Sequence, residues 1–341
     1  MSHSNPYTSL PQSDIAIQIE RLVKSIERHD TPAFRLPGAR SRSQQIESTW
    51  LSRYFKHIRQ MMDLFDDRCA YQYSAHLQAF WDACQDIGLE RSPTGPVCLN
   101  ESATAYLDHH RSMNVLVERI RQLTGELWYR REKRDRRDLA RQQADRVRDY
   151  SDAMLARYSR TLIIRVNLYY YQTVQVRLRV EQIFDDLDRL IAERERNPIF
   201  HHLIGYICAV EQGEDRGYHI HAAFFFNGNE LWADVYKAQQ IGELWERITC
   251  GQGYFHSSNH DKEEKYGEKE EEKAKDKREL GIGMIFQNDQ EVRPHVHYAM
   301  CYLVKDAQQL RLKPVGARCL RKGSINRRSN RTWGDDCDGV S

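Results

Sequence analysis

The sequence predicts an α+β protein in which an all-helical N-terminal region precedes a ferredoxin-like, split βαβ layer built on a central antiparallel sheet. Three observations lead there. Apolar residues recur at helical spacing as far as the 150s, the texture turns β-branched and aromatic at residues 161–171, and the order strand, helix, strand, strand, helix follows. A chain of 341 residues with 40% hydrophobic content can bury a core in about two domains.

The helices come first. Ile15, Ile19, Leu22 and Ile26 form one stripe; Leu51, Phe55, Ile58, Met62 and Phe65 form a second; Tyr73, Leu77, Phe80, Trp81 and Cys84 form a third. Pro32, Pro37 and Gly38, and then residues 92–96, supply the breakers between them. Val115, Ile120, Leu123 and Leu127 start a pattern that runs without a breaker to about Arg157. Residues 1–157 are thus read as a helical region, whose role the pattern leaves open.

Residues 161–171, TLIIRVNLYYY, read as a buried strand. Val180, Ile183, Phe184, Leu187, Leu190 and Ile191 give an amphipathic helix that ends before Asn197 and Pro198. Residues 203–211 and 218–226 flank Gly213-Glu-Asp-Arg-Gly217 as a hairpin. Leu231, Val235, Ile241, Leu244, Trp245 and Ile248 give the next helix, stopped near Gly251 and Gly253. Residues 281–286 suggest a short strand and 298–310 a helix. Residues 158–310 make the second domain, interrupted by a charged insertion at about 259–279; residues 261–279 alone hold nine acids and seven bases and cannot bury a core.

The 51 basic and 49 acidic residues nearly cancel, but they are unevenly placed. Residues 130–148 carry nine Arg/Lys against four Asp/Glu, and residues 311–331 carry eight and no acid. Such segments attract phosphate backbones, although the first also fits a solvated helix face with i,i+4 pairs. Residues 311–341 read as a basic, disordered tail, with Arg318, Arg321, Lys322, Arg327 and Arg328 the candidate DNA contacts. No apolar run or leader predicts a membrane span or secretion, and eight dispersed cysteines without a C-x-x-C pair suit reduced thiols in the cytoplasm.

The chemistry centres on Tyr218-His-Ile-His221. On a strand, His219 and His221 point to one face and Tyr218 and Ile220 to the other. Two buried imidazoles are costly unless bonded or coordinated, so a metal is expected, with Glu211 as third ligand if the hairpin register places it opposite His219. Glu214 in the loop is the fallback. His295-Val-His297 behind Pro294 is a second His-x-His, expected at a loop or helix start. Further on, Tyr302 and Lys305 share a helix face at i,i+3, with Tyr298 one turn earlier, so Tyr302 is a candidate nucleophile, Lys305 a cation beside it and Tyr298 either a second nucleophile or a packing residue.

These motifs, in this order, resemble the HUH endonucleases, the rolling-circle replication initiators and relaxases. More narrowly, RTLIIRVNLYY, YHIHAAFFFNGN and CYLVKD resemble the inovirus-type replication proteins of filamentous phages and prophages, over roughly residues 160–310. The resemblance implies a Mg²⁺ or Mn²⁺ ion on His219, His221 and Glu211, and nicking of single-stranded origin DNA by Tyr302. It implies a 5′-phosphotyrosine link, a free 3′-OH for host replication machinery, Lys305 stabilising charge, and Tyr298 as a possible alternating tyrosine. Two other classes fit the same residues: a non-cleaving DNA-binding prophage regulator and a metal-dependent hydrolase of another kind in which Tyr302 is structural.

Overall fold

The computed structural model describes residues 9–37, 45–65, 70–260, 280–304 and 309–325. The N-terminal stripes become helices α1 (Gln12–Arg28), α2 (Ile58–Asp63, preceded by a 3₁₀ turn from Trp50), α3 (Ala75–Asp86), α4 (His109–Gly125) and α5 (Leu127–Leu155). The sequence pattern ran α4 and α5 together. They break at Glu126, whose backbone is extended just after Gly125, so Val115 and Leu127 lie exposed and Met113, Leu116, Val117, Ile120 and Leu123 carry the buried stripe. The region is also not purely helical, because β1 (Phe34–Arg35) pairs with β2 (Glu47–Ser48), and a further strand, β3, spans Tyr71–Tyr73.

The C-terminal half supplies β4 (Arg160–Tyr170), the short α6 (Gln172–Gln175), α7 (Val180–Glu193), β5 (Leu203–Gly213), β6 (Gly217–Asn227), α8 (Asp234–Ile248), β7 (Gly253–Ser257), β8 (Gly283–Phe286) and α9 (Arg293–Cys301). The sheet runs β5-β6-β4-β7 with every neighbouring pair antiparallel, and β8 also pairs with β4. Strands joined through a helix, β4 to β5 and β6 to β7, are each separated by one antiparallel strand, which is a split βαβ arrangement. Strand β7 completes it.

The tail does not follow its sequence reading over residues 311–325. Leu312–Pro314 forms β9 against β3, and Leu320–Lys322 forms β10 against β5. Arg311 is buried; its Nε donates to Glu20 Oε2 at 2.7 Å and Nη1 to the carbonyl of Gln212 at 2.7 Å. Residues 326–341, with Arg327 and Arg328, and the insertion at 261–279 lie outside the described residues.

Alternation divides the sheet into two faces. Leu162, Ile164, Val166 and Leu168 of β4, with Ile220, Ala222 and Phe224 of β6, join α7, α8 and the N-terminal helices in one continuous core. The region before β4 is therefore packed onto the sheet. Ile163, Ala209, Ala223 and Phe225 on the reverse face pack against α5 and α9. Helices thus close one part of that face, and its other part carries the polar residues described next.

Candidate metal centre

Glu211 of β5 stands directly across the hairpin from His219 of β6, and His221 lies between Ala209 of β5 and Asn167 of β4. Residues opposite one another on antiparallel strands project to the same face, so register alone brings the carboxylate and both imidazoles together. The turn fixes that register. Gly217 opens β6 with φ +58°, and a Cβ there would run into the Gln175 side-chain amide, a position that only glycine fills without displacement. From the opposite face Gln212 ties β5 down, its Nε2 donating to Ser13 O at 2.7 Å and its Oε1 accepting from Arg311 N at 2.9 Å.

Glu211, His219 and His221 are 3%, 4% and 5% exposed. Glu211 Oε2 lies 3.0 Å from His221 Nε2 and 3.7 Å from His219 Nε2, and the two Nε2 atoms are 3.2 Å apart. Both Nδ1 atoms are committed elsewhere: that of His219 donates to Gly217 O at 3.1 Å, and that of His221 to Asn167 Oδ1. A ring with its proton on Nδ1 presents a bare lone pair at Nε2. With both rings neutral, two lone pairs and a carboxylate oxygen converge in a dry place, a donor set suited to a cation. Burial and then His221 push the His219 pKa down to about 3, which keeps its ring neutral, the form that ligates. These three residues form the cluster of metal-ligating side chains among the described residues, and they fit a divalent ion.

Tyr302 reaches this place from α9. The α-helix ends at Cys301, and Tyr302 begins a 3₁₀ turn through Val304, so the helix expected at residues 298–310 starts and stops earlier. Pro294 sits in its first turn, where the missing N–H costs nothing, and so begins the helix instead of preceding it. The Tyr302 ring meets His221 edge-on with centroids 6.0 Å apart. Tyr298, one turn back, is 70% exposed. Lys305 lies outside the described residues.

Arg165 was missed by sequence reasoning. Its guanidinium lies 4.8 Å from the Tyr302 ring centroid, with Nε buried and without an acceptor among the described residues. Burial pulls its pKa down; Tyr302, Tyr169 and Glu211 oppose that. Asn167 was missed likewise. The available signal was two polar residues at i and i+2 in an otherwise apolar strand, which alternation puts on the face of the histidines.

The remaining expected residues are placed elsewhere. Glu214 is exposed and paired with Arg21. His297 Nε2 lies 2.8 Å from Asp152 of α5, which gives the second His-x-His a packing partner. Arg318 is exposed, Arg321 pairs with Asp188 at 3.2 Å, and Lys322 Nζ lies 4.8 Å from the Tyr150 ring centroid. All three line a groove of about 1230 Å³ that Arg136, Arg146 and Lys313 also enter. On α5, Arg131, Arg141 and Arg148 pair with Asp135, Asp138 and Asp145, as a solvated helix face does. Among the described residues no helix is long and apolar enough to cross a membrane.

Residues 128–250, about a third of the chain, match the family model of the YagK/YfjJ C-terminal domain, a prophage-associated family. The matched stretch contains Arg165, Asn167, Glu211, His219 and His221 but stops before β7 and Tyr302. No curated protein and no solved structure gives a significant match.

Proposed function

We propose that this chain is an HUH-type nuclease that nicks single-stranded DNA through Tyr302 with a divalent metal at Glu211, His219 and His221. The observation that carries the reading is the meeting of two Nε2 lone pairs and a carboxylate oxygen beside a tyrosine ring that an arginine faces. Bound Mg²⁺ or Mn²⁺ would act as a Lewis acid on the scissile phosphate. The chain's own groups do the rest. Tyr302 Oη bonds to phosphorus as the bond to the 3′ oxygen breaks; the phenol gives up its proton and the departing oxygen gains one, leaving a 5′-phosphotyrosine and a 3′-OH. Arg165 supports the negative charge of phenolate and phosphate, alongside the same role expected of Lys305. The basic groove offers phosphate contacts away from the site, and the match to a prophage-associated family is compatible with a replication role.

The test is incubation with 3′-end-labelled single-stranded DNA and Mn²⁺ followed by denaturing electrophoresis. Label at protein mass, lost with EDTA, supports the reading. Product without adduct would favour a hydrolase in which Tyr302 is structural, and binding without product a non-cleaving regulator.

A further inference from the structure

From His219, a row of aromatic rings leads to the edge of the sheet. His219 contacts Tyr169 with centroids 5.5 Å apart, Tyr169 stacks on Tyr254 at 5.2 Å and 28°, and Tyr254 meets Tyr171, tilted, at 5.1 Å and 30°. Cross-strand register makes the row: Tyr169 of β4 pairs with Tyr254 of β7, and Tyr171 follows two residues along the same face. Burial falls outward, with Tyr169 4% exposed, Tyr254 intermediate and Tyr171 46% exposed. Over the row hangs Arg216 from the hairpin tip, exposed, its guanidinium 4.6 Å from the Tyr169 ring centroid. His256 lies exposed two residues along β7 from Tyr254, on the same face.

A packing role accounts for Tyr169, but not for two outer, part-exposed tyrosines in ring contact at a sheet edge, next to a tyrosine that an exposed arginine covers. Part-exposed tyrosines in a row, with a guanidinium at its inner end, offer aromatic faces to planar bases and a cation to the phosphates between those bases. We propose that Tyr171, Tyr254 and Arg216 form a stacking platform for the nucleobases of single-stranded DNA, which leads the strand to the metal centre. The proposal rests on the nuclease reading for its destination, and it adds a sequence-tolerant binding surface just past the end of β4 and on β7, the second of which lies beyond the family match.

The test is fluorescence anisotropy in EDTA, where no cleavage is needed, with a fluorescein-labelled oligodeoxythymidylate of about twenty nucleotides and an abasic strand of equal length. Wild type is expected to prefer the thymidylate strand. The Tyr171→Ala/Tyr254→Ala variant is expected to lose that preference, with affinity for the thymidylate strand lower by about tenfold or more. Tyr254→Phe keeps the ring and guards against loss of fold, so it should stay within about twofold of wild type. Equal wild-type binding to both strands, or a preference that survives in the double alanine variant, would overturn the platform. Adduct formation at Tyr302 is scored separately: failure there with the base preference intact removes the nuclease reading and leaves the platform.

Discussion

The Nε2 atoms of His219 and His221 meet at 3.2 Å with each Nδ1 already given to an acceptor, Gly217 O for one and Asn167 Oδ1 for the other. With both rings neutral, those Nδ1 donors leave lone pairs at the two meeting atoms, which a cation between them would bind. Mn²⁺ is therefore expected to stabilise the fold, by about 2.7 kcal/mol at a hundredfold excess over Kd. Scanning fluorimetry with and without EDTA checks this. Glu211→Gln should remove most of the gain, and an unchanged midpoint on adding metal to wild type would refute the donor set.

Asn167→Ala should leave the three ligands in place yet free the His221 ring to turn and to move its proton to Nε2. Loss of such an orienting partner weakens metal binding by about 10- to 100-fold. Calorimetric titration of Mn²⁺ reads the change, and affinity equal to wild type would show that the strand alone orients the ring.

His297→Ala separates the two His-x-His pairs. Its contact with Asp152 holds α9 against α5, so the variant should lose about 1 kcal/mol of stability, on the scale of one hydrogen bond, and retain the full Mn²⁺ shift in unfolding. Loss of that shift would place His297 in the metal site.

Much of this centre was legible in the sequence, and the reasons are local. His219 and His221 two apart on a strand share a face by period, and the glycines at 213 and 217 set the turn that brings Glu211 across. Arg165 and Asn167 escaped notice because the run around them is apolar enough to read as core. Strand β7 is five residues long and follows directly on the glycine-rich helix stop, too short to show a period. Strands β9 and β10 have three residues each, and Arg311 is buried only because Glu20, 291 positions away, is there to receive it. A basic stretch with a distant acidic partner looks, in sequence, like a solvated tail.

That ion pair sets a pH dependence. Burial alone would raise the Glu20 pKa, but Arg311 and Lys24 hold it down to about 2, below its ordinary 4.5. The unfolded chain therefore takes up this proton first. The pair's stabilisation is present above about pH 4.5 and is lost as pH falls toward 2. Arg311→Ala, which leaves the buried carboxylate with the part-exposed Lys24 as its cation, should cost about 3 kcal/mol near neutral pH and flatten the acid limb. Urea unfolding from pH 7 to 3 measures both, and a small loss with an unchanged limb would mean that solvent reaches Glu20.

The central claim is that Tyr302 attacks phosphorus beside the Glu211, His219 and His221 centre. Its most direct test is mass spectrometry of the protease-digested adduct formed with single-stranded DNA and Mn²⁺. The expected result is a nucleotide-bearing peptide modified at Tyr302, absent with EDTA and absent from Tyr302→Phe, whose fold and DNA affinity stay unchanged. Modification at another residue, or adduct at the wild-type level in Tyr302→Phe, would contradict it.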